Sequence, residues 1–395
     1  MLAVDALLRK VQLTGLLEML CQEVELTDSQ IEDAKKHYEA VGSWLTSASL
    51  LYPSLIYPQG SISLRTTVRP IGQEEYDVDL VCLVNGLSDS TSPTDLKQHI
   101  GDLLKTNGQY KDILEEKPRC WRLNYAKKFH LDITPSIPNP RCMQGGELVP
   151  NKLPDRRISG WKPTNPKGYQ KWFDENGKLQ PRFRLTEDAL AKARAGVEAI
   201  PEQKGFKGLL RRCVQLCKHH RNEMFANRKD RDNAPISIIL TTLASKSYAY
   251  CCTSSVVHDT ELDLLVEVVR SMPRFIEVSE VGNRRYYNIP NKTTQGENFA
   301  EKWNADENLA RTFFTWQKEA VAVFEKMAEL SGLDEVASHF SKSFGDSVSK
   351  RAIGRLTTAI SEARPRGLLS VIPGVGLSVG VARSNPVRSN TFFGA

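Results

Sequence analysis

The chain has 395 residues, 40% hydrophobic and 25% charged, with a formal net charge of +6, a length that suggests two domains plus appendages. No apolar run approaches the ~20 residues of a bilayer-spanning helix, and the N-terminal MLAVDALLRKVQ, with Asp5 inside its apolar stretch and no small-residue cleavage site, is not expected to be a signal peptide. Four arginines and no acid from Arg364 to Ala395 carry +4 of the net charge, so the body is nearly neutral and a general electrostatic grip on nucleic acid is disfavoured.

The first 22 residues have apolar positions compatible with a short helix. A longer helix comes next over 27–48, with Thr27 or Asp28 as N-cap, Glu32 supplying early acidic charge, and Ile31, Ala34, Tyr38, Val41 and Leu45 at helical spacing. Strand-like runs occur at 54–57, 78–84 and 129–133, with a helical stretch at 94–106 between the last two. Strands with an intervening helix predict a mixed sheet and an α/β (α+β) fold class. Residues 133–183, rich in Pro, Gly, Asn and Trp, read as a long structured connection. From about 185 the pattern turns helical, at 186–198, 206–225, 235–249, 259–271, 306–331 and 334–361. The last 30 residues have no helical or strand period and are expected to be flexible. The chain thus divides into N-terminal helices (1–50), an α/β core with its connection (51–183), a helical domain (184–362) and a tail (363–395). Eight scattered cysteines, with Cys21, Cys82, Cys213 and Cys217 in apolar or helical patterns, predict reduced thiols in a cytoplasm.

The chemistry concentrates in PQGSISLRTTVRPIGQEEYDVDLVCLV, Pro58 to Val84. Successive strand side chains alternate faces, so Asp77 and Asp79 project from one face while Val78, Leu80, Cys82 and Val84 form the packed one. Two carboxylates side by side repel unless something compensates. A divalent cation such as Mg²⁺, which takes hard oxygen ligands and keeps water or phosphate in its shell, is the first candidate. A third carboxylate is expected from a neighbouring strand, and FHLDITPSIP offers Asp132 between Leu131 and Ile133. Gly60 lets the backbone approach closely, and Ser61 is placed to cap a helix starting at Ile62; exposed N–H groups and a hydroxyl there suit a phosphate. Each feature has a bland reading, namely a turn, a solvated strand end or a hydrogen-bonded acid. Their order in strand–helix–strand context points to a metal-dependent nucleotide site.

Gly60-Ser61, Asp77-x-Asp79 and Asp132 resemble the signature of the polymerase-β-like nucleotidyltransferases, with the fifteen residues between Ser61 and Asp77 at the long end for that superfamily. More narrowly, QGSISLRTTVRP, EYDVDLVCLV, FHLDITPSIP, GWKPTNPKGYQKWF and IPNKTTQGENFAEKW resemble the bacterial cGAS-like cyclic-oligonucleotide synthases, the CD-NTases of antiphage (CBASS-type) signalling, over about residues 26–345. The resemblance implies a nucleotidyltransferase core backed by the 27–48 spine helix, with a helical domain forming the other wall of a bilobed cleft. It implies condensation of nucleoside triphosphates, ATP and GTP foremost, into a cyclic di- or trinucleotide. Two Mg²⁺ ions, with Mn²⁺ as a substitute, would sit on Asp77 and Asp79, and Asp132 would complete the first ion's shell and help deprotonate the acceptor hydroxyl.

The family also supplies a lysine and a serine to the triphosphate from its helical half, expected here at Lys218 and Ser237; the alternative is that Arg211, Arg212, Lys218 and Arg221 form a solvated helix face. Arg65, Arg69 and Lys127 are further cations near the site in sequence. Cys213, Cys217, His219 and His220, or Cys251, Cys252 and His258, read as core rather than as a zinc site. Trp161, Tyr169, Trp172 and Phe173 read as a packing knot rather than a base-stacking platform. In many operons of the resembled family a ubiquitin-activating-like partner joins the synthase's C-terminal carboxylate to other molecules, which implies Ala395 as the conjugation point. Two rival functions remain: transfer of one nucleotide onto RNA or protein, which the near-neutral body disfavours for RNA, and an inactive nucleotide-binding scaffold, which the three carboxylates disfavour.

Overall fold

Alternation of apolar and polar residues builds the sheet, and a helical period builds most of the C-terminal half. The computed structural model describes residues 2–48, 52–72, 75–87, 90–126, 128–144, 150–184, 207–330, 332–363, 369–372, 376–379 and 385–386. In chain order the elements are α1 (Leu2–Val24), α2 (Asp28–Ala48), β1 (Ser54–Pro58), α3 (Gly60–Leu64), β2 (Tyr76–Val84), α4 (Pro93–Thr106), β3 (Leu114–Glu116), β4 (Trp121–Tyr125), β5 (Phe129–Pro138), β6 (Asn151–Asp155), β7 (Gly160–Thr164) and α5 (Pro166–Lys178). They continue with α6 (Leu209–Phe225), α7 (Ser237–Thr253), α8 (Glu261–Ser271), β8 (Glu277–Val281), β9 (Arg284–Asn288), α9 (Glu307–Met327), α10 (Leu333–Phe344), α11 (Asp346–Ala363) and three short strands, β10 (Leu369–Ile372), β11 (Gly376–Val379) and β12 (Asn385–Pro386). Among the described residues no helix is long and apolar enough to cross a membrane.

The chain divides into two compact units. One comprises Leu26–Glu175 and Glu277–Ala305 and holds a mixed sheet of order β1-β2-β5-β4-β3, with β6 on the end of β5 and β7 beside β6. β2 and β5 run parallel, whereas β1 with β2 and β4 with β5 are antiparallel. Val78, Leu80 and Cys82 of β2 and Leu131 and Ile133 of β5 join Val41 and Leu45 of α2 and Leu96, Ile100 and Leu104 of α4 in one apolar core. Burying a Leu or Ile stabilises by about 1.5–3 kcal/mol, so this layer fixes the register that the polar face inherits. α2 begins one residue inside the expected helix and buries Ala34, Val41 and Leu45, three of the five residues its period names.

The stretch 133–183 is more regular than a connection. β5 runs on to Pro138, β6 and β7 form a hairpin, and α5 comes after it. Pro154 and Pro163 sit inside that hairpin, opposite Trp161 and Lys152; proline lacks the N–H a ladder uses, so the composition hides the strands. α5 starts where Asn165 Oδ1 accepts the Gly168 N–H at 2.9 Å, with Pro166 in the first turn, a favoured place for proline. Residues 277–305, which the helical period assigns to the second half of the chain, fall in this unit. There Glu301 pairs with Arg119 at 3.0 Å and with Lys162.

The other unit comprises Met1–Glu25, Asn176–Ile276 and Asp306–Ala395. α6 is its central helix, with Arg212, Lys218, His219 and His220 all buried. The expected alternative of a solvated basic face therefore fails: Arg212 is held by Glu18, Glu25 at 2.5 Å and Gln215 at 2.9 Å. α8 opens with a reciprocal capping box between Thr260 and Asp263. The single helix expected over 334–361 is two, α10 and α11, because Gly345 adopts φ +82°, a left-handed conformation that ends the first. In the tail, where no strand period is legible, β10 pairs antiparallel with both β11 and β12. The helix expected over 186–198 lies outside the described residues.

Candidate active site

Along β2 the burial alternates as the sequence requires, with Tyr76, Val78 and Leu80 buried, Asp77 exposed and Asp79 partly so. β5 repeats the pattern, burying Phe129, Leu131 and Ile133 and leaving His130 and Asp132 on the open face. The parallel register makes Asp79 and Asp132 direct partners and sets Asp77 beside His130. Three carboxylates, from two strands and 55 residues of chain, thus share one sheet face.

A fourth side chain completes the cluster. β4 places Arg122 opposite Asp132 on the far side of β5. Its guanidinium forks onto Asp132, Nε donating to Oδ1 at 2.7 Å and Nη2 to Oδ2 at 2.8 Å, and Nη2 also donates to Asp77 Oδ1 at 3.3 Å. Bidentate charge-assisted pairs of this kind are the strong ones. The Asp132 side chain is 13% exposed and that of Asp77 57%. The Asp132 hydrogen bond, followed by the charges of Asp132 and Asp77, holds the guanidinium's pKa above its usual range. Protein packed around the Asp77 carboxyl raises its pKa, Arg122 opposes the rise and Asp132 adds to it. The Cys120 thiol lies against Asp132 and is pushed up, first by burial and then by that carboxylate. His130 pairs with Glu75 at 3.0 Å.

The Gly-Ser turn is tied to the same face. Gln59 N–H donates to the Asp79 carbonyl at 2.8 Å, and Gln59 Nε2 donates to Thr134 Oγ1 at 3.3 Å. Gly60 adopts φ +63°, and a Cβ there would meet Asp79, 3.2 Å from Cγ and closer still to Oδ2. The short helix α3 starts at Gly60 with Gln59 as its N-cap, so Ser61 stands inside the first turn and is not the cap expected from the sequence. The Ser61 carbonyl accepts the Thr66 N–H at 3.0 Å, and α3 ends at Arg65 in a left-handed conformation.

The donor chemistry of this face suits a hard divalent cation: carboxylate oxygens and a tight glycine approach, with a cationic guanidinium already held by two of the acids. Among the described residues no three His, Cys, Asp or Glu side chains gather closely enough to hold a metal ion as placed. At Asp77 and Asp132, Arg122 stands on the oxygens that a metal would use.

Lys218 and Ser237 belong to the helical unit. Lys218 is buried on α6. Ser237 opens α7, and its Oγ receives Arg221 Nη2 at 3.1 Å. Arg221, one turn beyond Lys218, also donates to the Pro235 carbonyl and to Asn222 Oδ1 at 2.7 Å, and burial lowers its pKa to about 10. Cys213, Cys217, Cys251 and Cys252 are buried, with thiol pKa values raised chiefly by burial. Tyr169 packs on Trp172 and Phe299 at ring distances of 5.2 and 5.8 Å, and Phe173 is fully buried. Lys127 and Ala395 lie outside the described residues.

Sequence reasoning missed Arg122 and named Arg221 only as part of a solvated helix face. The first had a signal, since Trp121, Leu123 and Tyr125 alternate with Arg122 and Asn124. The second had none beyond its spacing of three from Lys218.

Residues 12–176 match the family model described as the Second Messenger Oligonucleotide or Dinucleotide Synthetase domain. A protein of Roseivirga ehrenbergii named c-di-GMP synthase is 31% identical over 391 residues, covering 98% of each chain. The cyclic dinucleotide synthase CdnG of Bradyrhizobium diazoefficiens is 25% identical over 357 residues, covering 86% of this chain and 82% of that one. A solved structure of that CD-NTase in complex with GTP superposes with a TM-score of 0.62 at 21% identity, covering 87% of this chain and 97% of the other.

Proposed function

Because this chain belongs to the second messenger oligonucleotide or dinucleotide synthetase family, we propose that the Asp77, Asp79 and Asp132 face is the catalytic centre of a cyclic dinucleotide synthase that works on GTP. The chain is a nucleotidyltransferase of the CD-NTase family, and it condenses nucleoside triphosphates into a cyclic oligonucleotide. Its family generally uses divalent metal ions. The finer reading, two guanylates closed into a ring, rests on the relative named c-di-GMP synthase that is 31% identical across almost the whole chain; a role in antiphage signalling is what the family resemblance implies.

The reaction joins an acceptor ribose hydroxyl to the α-phosphorus of a triphosphate. The new O–P bond forms as the bond to pyrophosphate breaks, and a second round closes the ring. Mg²⁺, two ions in this reading and replaceable by Mn²⁺, would lower the pKa of the acceptor hydroxyl and neutralise the departing pyrophosphate. Asp77 and Asp79 are the residues to hold it, and Asp132 would complete its shell. Asp132, in register with Asp79, takes the hydroxyl proton. Gly60 offers its backbone, and Ser61 its hydroxyl, to the triphosphate. From the family resemblance, Lys218 would supply a point charge and Ser237 a hydroxyl to a triphosphate.

The observation that carries the reading is the shared register of Asp79 and Asp132 with Asp77 on the same face. The test is incubation of the protein with each labelled nucleoside triphosphate and with all four. A small, phosphatase-resistant product formed from GTP alone, and absent with Asp77→Asn, supports it. Label found only in RNA or protein, or a product that persists in Asp77→Asn, rejects it.

A further inference from the structure

We propose that Arg122 is a positioning residue that a divalent cation must displace: it gathers Asp77 and Asp132 in the metal-free protein and yields those oxygens when metal arrives. This rests on the reading above, in which the same acids bind metal. The guanidinium reaches from β4 across β5 to β2, spanning three strands of one face. It occupies both oxygens of Asp132 and one of Asp77. One positive charge therefore already balances two acids that would otherwise repel. A dication brought to those oxygens meets a partly neutralised site and a like charge within hydrogen-bond distance of its ligands. Both charges cannot hold the same lone pairs at full strength, so metal loading and the arginine fork compete.

The geometry also permits the exchange. The Arg122 side chain is 21% exposed, so its head group can leave without unpacking a core. Its backbone is held by the pairing of β4 with β5, which leaves the side chain as the moving part. The consequence is a site kept assembled but weak for metal until a triphosphate adds negative charge. An arginine with a merely structural role would not tune metal affinity in this direction, since its loss would loosen the acids and weaken binding.

The experiment titrates Mn²⁺ into the full-length, nucleotide-free protein and reads free Mn²⁺ by electron paramagnetic resonance. The proposal expects Arg122→Gln to bind Mn²⁺ at least about tenfold tighter than the unaltered chain, and Arg122→Lys, which restores the charge, to return most of the way. Equal or weaker binding by a folded Arg122→Gln overturns the competition, while loss of binding in Asp77→Asn leaves the site reading standing. Mn²⁺ binding indifferent to Asp77→Asn and Asp79→Asn removes the site reading, and the competition with it. Should Arg122→Gln fail to fold, the unaltered protein still decides. Its Arg122 Nε–H resonance, identified by its absence from Arg122→Lys, moves towards the free-guanidinium position on saturation with Mg²⁺, and a resonance that stays put overturns the proposal.

Discussion

Gly60 and Asp79 touch across the junction of α3 and β2: the glycine sits at φ +63° with its α-carbon turned towards the carboxylate, and no Cβ fits between them. Gly60→Ala therefore meets two penalties, a left-handed backbone worth about 1–2 kcal/mol to an L-residue and a collision with Oδ2. The melting temperature is expected to fall by several degrees, and product formation by far more, because the carboxylate is pushed from its register with Asp132. A variant that melts lower yet turns over normally would detach this contact from catalysis.

Asp155 illustrates an acid held down by its partners. Burial alone would raise its pKa, but the Arg119 hydrogen bond, with the Arg157 N–H and side chain, holds it at about 2. The folded value lies below the unfolded one, so this stability is present above about pH 4 and is lost as pH falls towards 2. Arg119→Gln is expected to cost about 1–2 kcal/mol at pH 7, less than the roughly 3–5 kcal/mol of breaking a fully buried pair because Arg157 still holds Asp155, and to flatten the acid limb of a urea-denaturation series. An unchanged midpoint at pH 7 would contradict it.

Glu297 has the opposite sign. Burial pushes its carboxyl up to about 7, opposed by the Asn291 hydrogen bond at 2.8 Å and by Lys162 and Arg119. Between the unfolded value near 4.5 and about 7 the folded state holds the extra proton, so stability is full below that window and declines as pH rises through it. Glu297→Gln keeps an oxygen for Asn291 and removes the charge. It is expected to stabilise the protein by about 3 kcal/mol at pH 8, on the 1.36 kcal/mol carried by each pKa unit, and to leave it unchanged near pH 4. Melting curves at the two pH values check this; equal gains at both would contradict the titration.

In the proposed triphosphate site Arg221 would act through Ser237, whose Oγ it meets at 3.1 Å. Arg221→Gln is expected to raise KM for the triphosphate about tenfold with a smaller change in kcat, because the hydroxyl loses its 3.1 Å donor while the carboxylate face is untouched. Arg221→Lys should recover only part, since an ammonium cannot serve Pro235, Asn222 and Ser237 as the fork does. A fall in kcat at constant KM would place the defect in the chemistry instead.

The acidic site was legible because a strand leaves a two-residue trace. Asp77 and Asp79 flank buried Val78, and Asp132 lies between buried Leu131 and Ile133, so face and partnership both follow from alternation. The β6–β7 hairpin was not legible, because Pro154 and Pro163 read as breakers while the ladder runs through the neighbouring residues. Gly345 went unread for a related reason: helical spacing continues on either side of a single left-handed residue. Arg122 needed three strands in register before its reach could be seen, since nothing in WRLNY says which acids lie opposite. Ser61 was placed as the cap two residues too late because cap position depends on where the first turn closes, and Gln59 closes it.

The most direct test of the three-carboxylate site is diffraction from crystals grown with Mn²⁺ and a non-hydrolysable GTP analogue, with data collected at the manganese edge. Anomalous peaks are expected bridged by Asp77 and Asp79, with Asp132 against at least one of them and the analogue's phosphates over Gly60 and Ser61. Manganese bound elsewhere, with these three carboxylates still facing one another and no phosphate near Gly60, would contradict it.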